Sequence, residues 1–443
     1  MRKHSIDTNV ILRMPHRPGQ LARIAKVIGD AGGLLGEIDV LHYGEENTVR
    51  DLILETADEA HTERVLADIR ALEGVEILEV KDSVFEKHRG GKIKMTSRVE
   101  IKQVIDLRYV YTPGVARVCK AIEKDPHLAW DLTAIGNTVG IFTNGTRVLG
   151  LGNIGPLASL PVMEGKSVLY DKFANVSAVP MLIDTSDPDE FIETVMRLAK
   201  GFGGIHLEDI RIPDCFKIED ELKSRLKKPV MHDDQHGTAT VALAAILNAC
   251  KKNGVDPKAS KLGQIGLGAA GSAIARLALA YGMRDVLVTD LSQEAVAAVV
   301  KDGARYATLE DLMRESDIVV ATTGRPGLIR PDMVRKGHVI LSLSNPEPEI
   351  SPSEARKAGA VFAADGRTVN NALAYPGIFR GVLDTRSEKI TKEMFVAVAE
   401  TLARLAPPED VVPNPLDLTV HAAVAEAVRD VARKQGLVGT AEV

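Results

Sequence analysis

Four carboxylates stand in two adjacent pairs, Glu208-Asp209 and Asp233-Asp234, flanked by Leu207, Ile210, Val230 and Met231. Neighbouring like charges repel and are costly to bury unless a cation neutralises them, so a hard divalent ion is the economical explanation. Oxygen donors select Mg²⁺ or Mn²⁺. A solvated acidic loop is the competing explanation, and a second such pair weakens it. His232 and His236 raise a zinc alternative at i and i+4. That pair would have to lie inside a helix and lacks the intervening Glu of a zinc protease; it reads here as preceding a helix that starts at Gly237-Thr238. A third constellation, Glu164-Gly165-Lys166-Ser167, leads into Val168-Leu169-Tyr170, which reads as a buried strand. A surface lysine is the ordinary reading; a lysine desolvated beside a metal would have a depressed pKa and can serve as a general base.

A second kind of chemistry is written at Gly266-Leu-Gly268-Ala-Ala-Gly271, between a strand expected over 261–265 and a helix expected over 272–281. In that setting the backbone can approach a pyrophosphate, and the helix N-terminus favours its negative charge. The next strand, 286–289, ends in Asp290, 24 positions after Gly266, where a carboxylate can hold the ribose hydroxyls. Leu291, Ser292 and Gln293 follow, with no adjacent Arg or Lys to meet a 2′-phosphate; NAD is therefore favoured and NADP is the alternative. Strands over 318–321 and 339–343 complete a nucleotide-binding sheet, and the loops at 322–324 and 344–346 fall at strand ends, where ligands bind.

Several elements must position these groups. From residue 86 onward strands and helices alternate: strand 179–183, helix 188–200, strand 204–207, then a regular alternation from Gly237, as a doubly wound parallel sheet requires. The uncharged stretch 148–163 carries three glycines and two prolines and reads as turns in a core, not a spanning helix. Residues 1–85 form a separate module. Residues 4–14 read as a strand, Pro18-Gly19 as a turn, and Leu21, Ile24, Val27 and Ile28 as one face of a helix; strands 35–43 and 48–56, helix 59–71 and strand 75–80 follow. The order is βαββαβ, a ferredoxin-like unit. On Arg17-Pro18-Gly19-Gln20-Leu21 and Gly32-Gly33-Leu34-Leu35 this module resembles an ACT domain, a family that commonly binds small effectors at subunit contacts. Lys87-His88-Arg89-Gly90-Gly91-Lys92 reads as a basic hinge.

Composition narrows the partners. The chain has 443 residues, 45% hydrophobic and 26% charged, enough for two to four domains with real cores. A net charge of −6, 4% aromatics and a single Trp130 argue against nucleic acid and against an anionic membrane surface. The first 14 residues place Asp7, Asn9 and Arg13 where a secretory apolar core would lie. Cys119, Cys215 and Cys250 are scattered, which fits passive core residues in a reducing cytoplasm.

With Tyr109-Val110-Tyr111-Thr112-Pro113-Gly114 added, the pieces align in one order: Gly150-Leu-Gly-Asn-Ile-Gly155, Glu164-Gly165-Lys166, Leu207-Glu208-Asp209 and His232-Asp-Asp-Gln-His-Gly-Thr238. From about Gly91 onward the chain closely resembles the malic enzyme family in its short bacterial form. The resemblance implies oxidative decarboxylation of (S)-malate to pyruvate and CO₂, with NAD(P) reduction and a divalent metal. It makes Glu208, Asp209 and Asp234 metal ligands, Lys166 the base tuned by Asp233, and Tyr111 the general acid. Arg147, Asn345 and Asn371 would hold malate; Thr238 and Asn370 would face the cofactor. The implied division is an ACT-like domain over 1–85, an α/β malate- and metal-binding domain over 86–236, a Rossmann domain over 237–390 and C-terminal helices over 391–443. Hinges are expected near Gly237 and Gly381, and a homodimer or larger assembly is expected. A metal-independent amino-acid dehydrogenase and a non-enzymatic effector-binding regulator are the competing functions; the first would not need the two carboxylate pairs.

Overall fold

The computed structural model describes residues 6–148 and 150–442. The chain forms two compact units that meet at Lys94-Met95. The expected start of the first strand, at His4, lies outside the described residues.

The first unit follows the βαββαβ order. Strands β1 (Ile6–Pro15), β2 (Leu34–Tyr43), β3 (Asn47–Thr56) and β4 (Glu76–Asp82) form one sheet in the order β2-β3-β1-β4, with all neighbours antiparallel. In β1 the residues alternate, so Val10, Leu12 and Met14 are buried while Asp7 and Arg13 are exposed. The Gln20–Asp30 helix begins after Gly19, whose φ of 84° is the left-handed region that glycine enters freely. Its Ile24 and Ile28 join Leu52, Leu54 and Val65 in the core of this unit. Each such fully buried aliphatic side chain contributes about 1.5–3 kcal/mol. The basic segment expected to be a hinge is in part a helix, Ser83–His88, because Asp82 accepts hydrogen bonds from the amides of Val84 and Phe85. The unit therefore extends past residue 85, to Lys94.

The second unit holds two parallel sheets. Strands β5 (Thr138–Thr143), β6 (Ser177–Leu182), β7 (Gly204–Leu207) and β8 (Val230–His232) lie in the order β6-β5-β7-β8. Strands β9 (Lys261–Ile265), β10 (Asp285–Thr289), β11 (Arg305–Tyr306), β12 (Ile318–Ala321), β13 (Val339–Ser342) and β14 (Phe362–Asp365) lie in the order β11-β10-β9-β12-β13-β14, the doubly wound arrangement. Helices cover these sheets, which is why β7, β12 and β13 are short continuous apolar runs, buried throughout. The strand order reverses between the parallel neighbours β9 and β12, and at such a switch point the strand ends open a crevice.

Four expectations need correction. Lys166 stands in a helix, Gly155–Ala174, not beside a strand; the left-handed Gly155 and Pro156 start it, and its Met163, Ser167 and Tyr170 are buried. Within the stretch 148–163, residues 155–163 are thus helix and not turn. The helix expected from Gly237 begins at Asp233, so the expected division at 236/237 falls inside the Asp233–Lys252 helix. Gly237 and Gly381 both lie within helices. A Cβ on Gly381 would stand 2.6 Å from Val428 Cβ, so this glycine serves close packing of the Tyr375–Thr385 helix on the Leu418–Lys434 helix. No helix among the described residues is long and apolar enough to cross a membrane.

Candidate active site

Strand ends supply the carboxylates. Glu208 and Asp209 follow β7 directly, and Asp233 and Asp234 form the first turn of the helix that follows β8. Positive partial charge at a helix N-terminus favours carboxylates there. Asp209 has a φ of 54°, a left-handed conformation that a non-glycine residue adopts at a cost. Its amide donates to Asp234 Oδ2 at 3.2 Å, and its carbonyl accepts from the Arg147 amide at 3.1 Å. Carboxylate oxygens of Glu208, Asp209 and Asp234 come within 4.8 Å of one another. These are the three residues expected to hold a cation, and an all-oxygen set suits Mg²⁺ or Mn²⁺.

The Gly155–Ala174 helix brings Lys166 to the same place. Its Nζ donates to Asp233 Oδ2 at 2.5 Å, lies 3.1 Å from Glu208 Oε1 and sits 4.5 Å above the Tyr375 ring. Burial alone would lower the pKa of this ammonium, but Asp233 and Glu208 outweigh it and hold the pKa well above the ordinary lysine value. The depressed pKa is expected of a lysine beside a metal; the protein groups alone act in the opposite direction. Burial pushes the Glu208 and Asp233 carboxyls up, against the pull of Lys166. His206, Glu208 and Asp233 also cluster, but Lys166 Nζ touches the two carboxylates, so a cation placed there would meet an ammonium.

Histidines 232 and 236 do other work. His236 stacks on Phe395 at 4.8 Å between ring centres and bonds Glu219 Oε2 at 3.0 Å. His232 is fully buried at the helix N-cap, and its ring nitrogens have no hydrogen-bond partner. Both fall outside the carboxylate set. Of the two, only His236 lies inside the Asp233–Lys252 helix, with His232 at its N-cap, and Glu219 and Phe395 engage the His236 ring, so the pair does not form a zinc site.

One cleft of about 540 Å³ gathers Arg147, Lys166, Glu208, Asp209, Asp234, Thr238, Gly268, Asn345, Asn370 and Asn371. Metal, substrate and cofactor candidates thus share one space. Asp233 lies below it, fully buried against Lys166. Gly266, with a φ of 86°, makes the turn after β9. A Cβ on Gly271 would stand 1.9 Å from the Gly266 carbonyl oxygen, the close strand–helix approach a dinucleotide loop needs. Asp290 Oδ2 accepts from the Leu267 amide at 2.6 Å, bracing that loop from the end of β10.

Tyr111 is not brought to the cleft of its own chain. It is 70% exposed just after the Val104–Val110 helix, which has no buried residue, and among the described residues it does not line the cleft that holds Lys166.

Sequence reasoning missed four contributors. Glu219 accepts from the His232 amide, Gln235 and His236 and pairs with Lys223; although burial opposes ionisation, these partners hold its carboxyl well below the usual range. Its i, i+4 spacing to Lys223 was the visible signal. Glu349 Oε1 accepts from the Thr323 amide at 2.6 Å and from Ser344 Oγ at 2.5 Å, tying together the loops after β12 and β13. Arg367 lines the cleft after β14. His206 stands two residues before Glu208, and period-two alternation alone could have paired them.

Comparison with known proteins agrees with this geometry. The malic enzyme N-terminal domain family matches residues 90–223, and the malic enzyme NAD-binding domain family matches residues 351–434. Residues 234–325 match the NAD-binding domain of D-isomer specific 2-hydroxyacid dehydrogenases. NAD-dependent malic enzyme 1 of Bacillus subtilis is 51% identical over 97% of this chain and 98% of its own length. The NAD-dependent malic enzyme of Geobacillus stearothermophilus is 39% identical over 94% of this chain and 92% of its own. The crystal structure of malic enzyme from Pyrococcus horikoshii superposes with a TM-score of 0.77 at 38% identity, covering 81% of this chain and 92% of that one. Identity at this level over nearly the full length, joined to a cleft that brings a buried lysine, three carboxylates and a dinucleotide loop together, means that the chain belongs to the malic enzyme family.

Proposed function

We propose that this protein catalyses the divalent-metal-dependent oxidative decarboxylation of (S)-malate to pyruvate and CO₂, with NAD as hydride acceptor. The observation that carries the reading is the single cleft in which Lys166 and the Glu208, Asp209, Asp234 set meet Gly268 of the nucleotide loop. When bound, the cation supplies charge that polarises a carbonyl and stabilises an enolate, and NAD takes the hydride.

The chain's own residues do the rest. Arg147 can pair with a malate carboxylate through two parallel hydrogen bonds, and Asn345 and Asn371 orient the substrate from the opposite wall. Lys166 takes the C2 hydroxyl proton as hydride leaves C2, giving the 2-oxo acid. The C3–C4 bond then breaks, CO₂ leaves with no electrons from that bond, and the enolate of pyruvate remains to be protonated at C3. Asp233 holds Lys166 by its hydrogen bond at 2.5 Å and tunes its proton affinity. Thr238 and Asn370 face the cofactor, with Gly266, Gly268 and Gly271 shaping its pyrophosphate site and Asp290 placed for the ribose hydroxyls.

We assign protonation of C3 to Tyr111, delivered from a second copy of the chain. The Val104–Val110 and Val115–Lys124 helices bury no residue, and Val104 and Tyr109 are 82% and 72% exposed, a surface that a homodimer would cover. The first unit is proposed as an effector-binding regulatory module. Unpaired Cys119, Cys215 and Cys250 are compatible with a reducing cytoplasm.

The test is to mix the purified chain with L-malate, NAD and Mn²⁺, follow NADH and pyruvate together, and repeat with NADP and with a chelator. Equimolar products that require Mn²⁺ and favour NAD are expected. Turnover unaffected by chelation would overturn the metal role, and absence of pyruvate would overturn the reaction.

A further inference from the structure

Below the carboxylate layer lies a buried aromatic floor that the reaction does not itself use. His206 is fully buried at the third position of β7, two residues before Glu208, so strand alternation sends both side chains to the same face. Its Nδ1 lies 2.8 Å from the Tyr170 hydroxyl, and its Nε2 lies 2.6 Å from Glu208 Oε2. An ionised carboxylate only accepts hydrogen bonds, so Nε2 carries the proton and donates it; Nδ1 is then the acceptor, and Tyr170 donates to it. One tautomer satisfies the whole row. The imidazole cannot swing away, because it meets Tyr375 edge-on at 5.4 Å and Phe379 nearly face-on at 5.9 Å between ring centres.

We propose that His206, tethered by Tyr170, is a positioning residue that presets the Glu208 carboxylate for a divalent cation. The proposal rests on the metal-dependent reading above. With Oε2 tied to His206, rotation of the Glu208 carboxylate is blocked, and Oε1 stays turned toward Lys166, 3.1 Å away. Glu208 thus enters the cation set with its rotamer already fixed, and the ordering cost is met in folding and not in binding. A leucine at 206 would keep the burial and lose the donor. It would leave Oε2 of a buried carboxylate without a partner and the carboxylate free to rotate away from Asp209 and Asp234.

The measurement is Mn²⁺ affinity of the full-length chain, read by electron paramagnetic resonance of free Mn²⁺ with neither malate nor NAD present. His206→Leu is expected to weaken Mn²⁺ about 10- to 100-fold, the range typical of lost outer-shell partners of a metal ligand. His206→Gln, which keeps an N–H donor, should recover most of that loss, and Tyr170→Phe should fall between the two. NAD affinity, measured by fluorescence titration, should stay at the parental value in all three, which also shows that they are folded. If His206→Leu is folded and binds Mn²⁺ like the parent, the proposal is wrong. If that variant fails to fold, Tyr170→Phe decides: parental Mn²⁺ affinity there overturns the tether. A parent chain that binds no Mn²⁺ would instead bring down the metal-dependent reading, and this proposal with it.

Discussion

The ammonium of Lys166 lies between two carboxylates, at 2.5 Å from Asp233 and 3.1 Å from Glu208. With both anionic, the proton is held tightly; Glu208 engaged on a cation would attract it less, which would let Lys166 serve as the proposed base. Charge in the site therefore couples metal occupancy to base strength. Lys166→Ala should reduce malate oxidation about 10²- to 10⁴-fold, the usual worth of a general base, with partial recovery in added methylamine. Stopped-flow NADH formation with and without the amine checks this, and full parental turnover in the variant would remove Lys166 from the mechanism. Asp233 needs no exposure for its part: it acts on substrate only through the lysine it holds.

At the scale of elements, the site is a meeting of strand ends and helix starts. The Asp233–Lys252 helix presents Asp234 to the cleft and turns Asp233 under it, and it can do so because Gly237 has no side chain. A Cβ at 237 would stand 1.9 Å from Asp233 Oδ1. Gly237→Ala should therefore displace Asp233, lower kcat and leave NAD affinity close to parental, since Gly268 and Gly271 are untouched. Steady-state kinetics beside an NAD titration separates the two effects; a loss confined to NAD affinity would contradict this account. The same glycine was read from the sequence as a hinge, which a mid-helix residue packed against a carboxylate is not. Across the cleft, Glu349 ties the Thr323 and Ser344 loops and so holds the strand-end wall from which Asn345 projects.

At the scale of the molecule, the catalytic residues all lie in the unit that runs from Met95, and the first unit has a core of its own. Removing residues 1–94 should leave malate chemistry in place while changing assembly state or response to a small metabolite. Gel filtration and malate assays of the truncated chain test this; a folded product with no turnover at any substrate level would refute the division of labour. Stability should also depend on pH through His338, which is buried, accepts from the Arg335 amide at 3.0 Å and has its pKa lowered to about 4 by burial and by Arg335. A folded pKa below the unfolded value of about 6.5 means that the unfolded chain binds this proton first. The stabilisation is therefore complete above pH of about 6.5 and is lost as pH falls toward about 4. His338→Gln should flatten the fall of Tm across that window, as followed by differential scanning calorimetry without ligands.

The sequence by itself determined the inventory and the order. Alternating apolar runs gave the βαββαβ unit and the doubly wound sheet, and adjacent carboxylates, a lysine and a glycine fingerprint could be read as chemistry because each is a local pattern. The resemblance then named the ligand set, and the fold brought Glu208, Asp209 and Asp234 together. Tertiary structure decided what local pattern cannot carry. Lys166 is helical because the Gly155–Ala174 segment buries Met163, Ser167 and Tyr170, and packing outweighed the strand preference of Val168-Leu169-Tyr170. Its proton affinity is set by Asp233 and Glu208, 67 and 42 positions away in the chain. Glu349 and the Tyr170–His206 pair were out of reach for the same reason: a hydrogen bond between distant residues leaves no periodicity in a single sequence. Tyr111 shows the opposite limit, a motif plain in the sequence whose side chain its own fold leaves 70% exposed, because the helix before it buries none of its residues.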